Sequence, residues 1–420
     1  MDRFVVEGGK RLKGEVVISG AKNSALPIIA AAIMTDKPVV LENIPDVVDV
    51  HTMIQLIKYL GARVDFKHNT LRIHTPKIKR IEAPYDIVRK MRASYYVLGS
   101  LVSRERRARV SLPGGCAIGP RPIDLHIKGL KALGVNIDIE DGYVNARADR
   151  LVGDSIDLLG AKGSSVGATI NTMLAAVQAR GKTQIISAAC EPEVVDVADF
   201  LKSLGADIRG AGTPIITINN IGCLDGSHYR IIPDRIEAGT FAVAGAITMG
   251  KVKLGGVQPR DLMAVLDKLE EVGAGVIKNR DSVIVEGRKP IRATNVYVAP
   301  FPGFPTDMQA QFMVLLSIAS GTSTIKETIF ENRFMQAMEL SRMGADITIE
   351  GHTAVIKGVK KLSGAFVMAS DLRASACLVL AGLEAKGKTV IRRIYHLDRG
   401  YDRFEKKLRK LGARIRREKE

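Results

Sequence analysis

Six times along this chain an apolar helical stretch runs into Leu-Gly-Ala, or a close variant, and then into a strand of alternating character. The copies are YLGARVDF ending at Phe66, ALGVNIDI ending at Ile139, SLGADIRG ending at Gly210, EVGAGVIK ending at Lys278, RMGADITI ending at Ile349 and KLGARIRR ending at Arg417. The pivots Gly61, Gly134, Gly205, Gly273, Gly344 and Gly412 recur about every 70 residues, a longer period than common solenoids use. Each pivot is expected at a helix C-terminus, where glycine takes left-handed dihedrals without strain.

A second signature precedes each pivot: a helix of small and apolar residues. The copies are AKNSALPIIAAAI from Ala21, MRASYYVLGSLV from Met91, SVGATINTMLAAV from Ser165, EAGTFAVAGAITM from Glu237, TDMQAQFMVLLSIASG from Thr306 and LRASACLVLAGL from Leu372. Each is apolar nearly all round, which predicts a buried helix. Short strands follow, such as KPVVLENI (37–44), GKTQIISA (181–188) and GKTVIRRI (387–394). One unit therefore holds two helices and several strands, which places the chain in the α/β class. Six units in 420 residues predict two domains of three units, helices inside and sheets outside. The boundaries fall at 20–231 for the first domain, and at 1–19 together with 232–420 for the second. An opening strand over residues 3–18 resembles the strand expected over residues 229–232 and is assigned to the C-terminal half. The chain then crosses twice, near Ser19–Gly20 and Ile231–Ile232, a double hinge suited to closing over a substrate.

The composition removes several classes. Aromatics are 5% and Trp is absent, so the core must be aliphatic. Cys116, Cys190, Cys223 and Cys377 lie far apart with no CxxC, which argues against a zinc site or a disulfide framework and suits a reducing cytoplasm. There is no HExxH, no secretory h-region behind MDRFVVEGG, and no apolar run long enough for a membrane span. GAKGSSVGAT (160–169) fails as a phosphate loop, because Ala168 and Thr169 follow Gly167 where Lys-Ser/Thr is needed; no GxGxxG follows a strand. The net charge of +17 fits a solvated basic surface, nucleic acid or an anionic small substrate.

Chemistry concentrates in LPGGCAIGPRPIDLHI (112–127). Its glycines and prolines exclude regular structure. It carries the thiol of Cys116, the guanidinium of Arg121, and then Asp124 and His126; a thiol beside a cation is expected to be reactive. Lys22, Arg92 and Arg373 occupy matching helix starts. A cation there opposes the helix dipole, so either it points into solvent or it adds charge to an anion site. Asp307 and Asp371 also sit at helix starts, as do Asp234 and Glu237, and each is either a cap or a general acid or base.

These motifs together resemble the enolpyruvyl transferases, in particular the branch acting on a nucleotide sugar. The resemblance spans essentially the whole chain. It rests on SGAKNSALP from Ser19, PGGCAIGPRPIDLH from Pro113, EPEVVD from Glu191, IPDRIEAGT from Ile232, FPTDMQAQF from Phe304, FENRFM from Phe330, DLRASA from Asp371 and HLDRGY from His396, in that order. It implies a two-domain inverse α/β barrel of six repeated units. The implied reaction moves the enolpyruvyl group of phosphoenolpyruvate to the 3-hydroxyl of UDP-N-acetylglucosamine and releases phosphate. It runs by addition–elimination through a tetrahedral ketal and opens peptidoglycan synthesis. By the same resemblance Lys22, Arg121 and Arg399 hold phosphoenolpyruvate, and Asp307 is the base for the attacking hydroxyl. Cys116 is either the general acid at the methylene carbon or an aid to product release, and is the residue that fosfomycin alkylates. Asp371 and Arg373 complete the proton-handling network. Asn23 and Asp307 bind the sugar, and Arg92, Arg121, Pro122, Ile123, Asp124, Leu125, His126, Ser165, Val166, Gly167 and Ile329 line the nucleotide-sugar site. Relatives often carry a Lys where this chain has Gly163; Lys162, one residue earlier, either restores that contact by a shift of the loop or leaves it lost.

The resemblance implies no cofactor and no metal, because lysine and arginine supply the charge. Beyond the two substrates it implies no nucleic acid, no membrane insertion and no obligate protein partner, in the cytoplasm. The sister enzyme acting on shikimate 3-phosphate would lack the PGGCAIGPRP lid and the PIDLH loop. A basic nucleic-acid module would leave the acids and the thiol without a task.

Overall fold

The computed structural model describes residues 2–112, 122–220 and 222–420. Cys116 and Arg121 lie outside the described residues. Contacts divide the chain into two compact units, one of residues 20–112 and 122–232, the other of residues 2–19 and 233–420. Each has its own aliphatic core.

Among the described residues there are six four-stranded sheets, three in each unit, all with one topology. A short edge strand runs parallel to a central strand, and the central strand pairs antiparallel with one arm of a hairpin. In the sheet of the second repeat Glu82–Ala83 is the edge, Arg107–Ser111 the centre, and Asn136–Glu140 with Tyr143–Arg147 the hairpin. The inner helices Lys22–Ala31, Val97–Glu105, Val166–Ala176, Arg235–Ile247, Gln309–Leu316 and Leu372–Glu384 are buried over most of their length. Having no polar face, they have nothing to offer solvent. Small residues let them touch: a Cβ on Gly99 would meet Asn171 O at 2.5 Å.

The outer helices, Val48–Leu60, Asp124–Ala132, Pro192–Ser203, Met263–Glu271, Gln336–Arg342 and Phe404–Lys410, run into the pivots. All six pivot glycines take φ between +88° and +122°, so the repeated Gly reflects a repeated left-handed helix exit.

The opening segment departs from expectation. It is two strands, not one: Asp2–Glu7 and Lys13–Val17 join different sheets of the C-terminal unit. The break is at Gly8 and Gly9. A Cβ on Gly8 would overlap Ala385 O, and Gly9 has φ +83°, so only glycines allow the chain to turn off that sheet. Asp2–Glu7 fills the hairpin position missing from the last repeat, between Lys388–Arg392 and Arg414–Lys419. Lys13–Val17 is the parallel edge of the fourth sheet, as Ser227–Arg230 is of the first.

Candidate active site

In the N-terminal unit Lys22 opens its helix behind Ala21, which has no side-chain cap. The entry is fixed by the backbone instead: Ala21 N donates to Ile232 O at 2.7 Å. Lys22 Nζ lies 3.3 Å from Asp49 Oδ2, a nearly buried carboxylate in the first turn of Val48–Leu60. Asn23 beside it is exposed. Arg92 begins a short 3-10 turn and donates to Pro122 O at 3.4 Å, which ties one expected lining residue to another.

His126 is set by Asn171. Gly99 N donates to Asn171 Oδ1 at 2.8 Å, which fixes the amide orientation. Asn171 Nδ2 then faces Tyr95 O at 3.1 Å and His126 Nδ1 at 3.0 Å. With a donor against Nδ1, the neutral ring carries its proton on Nε2. The ring also meets Tyr95 edge-on, with centroids 5.2 Å apart. Gly167 lies against it: a Cβ there would be 3.0 Å from His126 Cε1 and Nε2. Ser165 caps the next helix by accepting from Ala168 N at 3.3 Å, with Val166 as the first helical residue. Leu125 packs against Gly160, and Ile123 and Asp124 start the His126 helix. Lys162 is exposed on a turn closed by paired Gly160–Gly163 backbone hydrogen bonds of 3.1 Å. Gly163 has φ +90°, a left-handed conformation that favours glycine.

In the C-terminal unit Asp307 is gripped by two arginines. Arg333 Nη2 donates to Oδ1 at 2.7 Å and Arg373 Nη2 to Oδ2 at 2.6 Å. Burial works most strongly against the charge of Arg373, but Asp307, Tyr401 and Asp234 together outweigh it and hold the guanidinium charged. Asp371 caps the Leu372–Glu384 helix, accepting from Arg373 N at 2.9 Å and Ala374 N at 3.1 Å. Asp234 caps Arg235–Ile247 in the same way. Glu237 is buried, accepts from Ser19 N at 3.0 Å and pairs with Lys407; burial pushes its carboxyl up to about 7 against the pull of that lysine. Arg399 ends the 3-10 turn Ile394–Arg399, where burial and then Arg399 hold His396 below its usual range. Ile329 is half-buried, its N–H donating to Glu327 Oε1 at 2.8 Å.

Neither Asp49 nor Arg333 is assigned a role by sequence reasoning. Asp49 is an acid at a helix start, indistinguishable from a dipole-favoured residue until Lys22 is seen beside it. Among the described residues no group of three or more His, Cys, Asp or Glu is placed to hold a metal, and no helix is long and apolar enough to cross a membrane.

In the C-terminal unit a carboxylate fixed by two arginines suits deprotonation of a hydroxyl beside an anion. Residues 6–408 match the family of EPSP synthase (3-phosphoshikimate 1-carboxyvinyltransferase). The enolpyruvyl transferase NikO from Streptomyces tendae superposes with a TM-score of 0.89 at 29% identity, over 99% of this chain and 98% of that one. EPSP synthase from Acinetobacter baumannii shares the fold, with a TM-score of 0.76 at 18% identity over the full length of both chains. UDP-N-acetylglucosamine 1-carboxyvinyltransferase of Desulfosudis oleivorans is 54% identical over 99% of both chains. UDP-N-acetylglucosamine 1-carboxyvinyltransferase 2 of Carboxydothermus hydrogenoformans is 52% identical, again over 99% of both. The chain belongs to the enolpyruvyl transferase family, on the branch of the UDP-N-acetylglucosamine 1-carboxyvinyltransferases.

Proposed function

We propose that this protein transfers the enolpyruvyl group of phosphoenolpyruvate to the 3-hydroxyl of UDP-N-acetylglucosamine, releasing phosphate, as the committed step into peptidoglycan. The observation that carries this reading is the full-length likeness, above half identity, to relatives bearing that name.

The hydroxyl oxygen adds to C2 of phosphoenolpyruvate while its methylene carbon takes a proton. The resulting tetrahedral ketal loses that carbon's proton and expels phosphate, restoring the double bond in the product. Asp307 accepts the hydroxyl proton. Its two oxygens accept from Arg333 and Arg373, which fix the orientation of the carboxylate. Lys22, Arg121 and Arg399 hold the phosphate and carboxylate of phosphoenolpyruvate and stabilise charge as it moves. Asp49 holds the Lys22 ammonium in place for that task. Cys116 serves the methylene carbon or product release, and Asp371 with Arg373 orders the proton network around Asp307. Asn23, Arg92, Pro122, Ile123, Asp124, Leu125, His126, Lys162, Ser165, Val166, Gly167 and Ile329 receive the nucleotide sugar.

With this reading go the inverse α/β barrel of six repeated units, the domains 20–231 and 1–19 with 232–420, a cytoplasmic location, and no partner beyond the substrates. The six identical sheet topologies support the barrel. Phosphate release from phosphoenolpyruvate, measured with UDP-N-acetylglucosamine and with shikimate 3-phosphate as alternative acceptors, tests the function. Release with the nucleotide sugar alone is expected; release with shikimate 3-phosphate alone would overturn the reading.

A further inference from the structure

The residue that follows the central strand separates four of the six repeats from the second, where Leu112 stands there, and from the fifth. In four repeats it turns the chain with a left-handed backbone: Asn43 at φ 60°, Ser187 at 54°, Gly256 at 71° and Arg393 at 57°. In the fifth repeat the strand Thr322–Lys326 is followed by Glu327, whose backbone stays out of the left-handed region. The turn is made by its side chain.

Glu327 is 1% exposed. Its Oε1 accepts from Ile329 N at 2.8 Å and Phe330 N at 3.2 Å. Its Oε2 accepts from Thr306 Oγ1 at 2.7 Å. A buried carboxylate costs free energy unless such donors compensate it, so an acid at this position needs a reason beyond turning a chain. Its two oxygens face two different segments. One organises the start of the segment that carries Ile329. The other holds the residue next to Asp307. The same segment returns to Asp307 through Arg333, 2.7 Å from Oδ1. Thr306–Asp307 is thus gripped from both ends of one segment, by Glu327 through the hydroxyl of Thr306 and by Arg333 through the carboxylate.

We infer that Glu327 is a positioning residue for the acceptor substrate: it sets Ile329 and Asp307 in register with each other, so that the sugar's binding surface and the base for its hydroxyl are placed by one buried carboxylate. The inference rests on the proposed roles of Asp307 and Ile329. It predicts that Glu327 acts on the nucleotide sugar and on turnover, while phosphoenolpyruvate is held by other groups.

Steady-state kinetics of the full-length enzyme, with each substrate varied in turn, tests it. Glu327→Ala is expected to lower kcat/KM for UDP-N-acetylglucosamine about 100-fold, because small misplacements of a base are costly, with KM for phosphoenolpyruvate changed by less than about twofold. Glu327→Gln keeps an acceptor for the two N–H groups and a polar contact to Thr306, and should recover most of the loss. Thr306→Ala removes only the arm towards Asp307 and should lower kcat with little change in KM for the sugar. Equal effects on both substrates, or a lowered unfolding midpoint with KM for the sugar unchanged, would overturn the inference. If Glu327→Ala does not fold, Glu327→Gln and Thr306→Ala decide by the same split. Asp307→Asn separates the two levels: turnover retained by that variant removes the base assignment itself. Turnover lost there, with Thr306→Ala and the Glu327 variants behaving as wild type, refutes the role of Glu327 alone.

Discussion

Arg373 reaches Asp307 across 2.6 Å from a position that is 4% exposed, and nothing in their 66-residue separation announces the pair. Arg373 is the second residue of a helix capped by Asp371, so the helix fixes its backbone and Asp307 its guanidinium. A cation at a helix start, unfavourable against the dipole, is compensated by a carboxylate from another repeat.

Removing that carboxylate leaves two buried guanidinia, Arg333 and Arg373, facing a void. Asp307→Ala should therefore cost about 3 kcal/mol in chemical denaturation of the C-terminal unit. A loss below about 0.5 kcal/mol would show that the pair is solvated and weak.

His126 has no slack on the side of Gly167. Gly167→Ala puts a methyl 3.0 Å from two ring atoms, so the imidazole must give by a few tenths of an ångström or break its contact with Asn171. KM for UDP-N-acetylglucosamine should rise about tenfold with the fold intact, as loss of one or two good contacts implies. Asn171→Ala should act in the same direction, read by the same titration.

Asp196, 1% exposed, accepts from Tyr229 Oη at 2.6 Å and Ile232 N at 3.3 Å. Burial pushes its carboxyl up to about 6, although those hydrogen bonds pull it down. A carboxyl raised on folding is protonated in the native state where the unfolded chain is already ionised. Its contribution to stability is thus present below about pH 4 and is lost as pH rises through about 6. Denaturation of wild type and Asp196→Asn from pH 4 to 7 should show the wild type losing stability relative to the variant across that window. Parallel curves would mean that Asp196 titrates normally.

The thiols should separate by environment. Burial raises Cys377 far above the usual thiol range, and burial with Glu191 raises Cys190; Cys223 is exposed. In peptide mapping after limited alkylation at neutral pH, Cys377 should remain unmodified in the folded protein and Cys116 should react first. Fosfomycin, with the nucleotide sugar present, should modify Cys116 and stop turnover. Full activity after saturating treatment would count against that thiol's role.

What the sequence determined by itself is the periodic part. Six pivots appear as six left-handed glycines, and six apolar helices appear as six buried ones. These follow from local causes: only glycine exits a helix at positive φ cheaply, and a helix without a polar face must be covered. The tertiary structure decided everything that depends on pairing between repeats. It split the opening segment at Gly8–Gly9 and sent Asp2–Glu7 to complete the last sheet. It put Asp49 beside Lys22, gave Asp307 two arginines, and spent Asp371 and Asp234 on helix caps. An acid at a helix start has the same local signature whether it caps a helix, pairs with a cation or holds a loop. Only the partner that folding brings within hydrogen-bond distance separates those roles, because such interactions act over a few ångströms in space and carry no period along the chain.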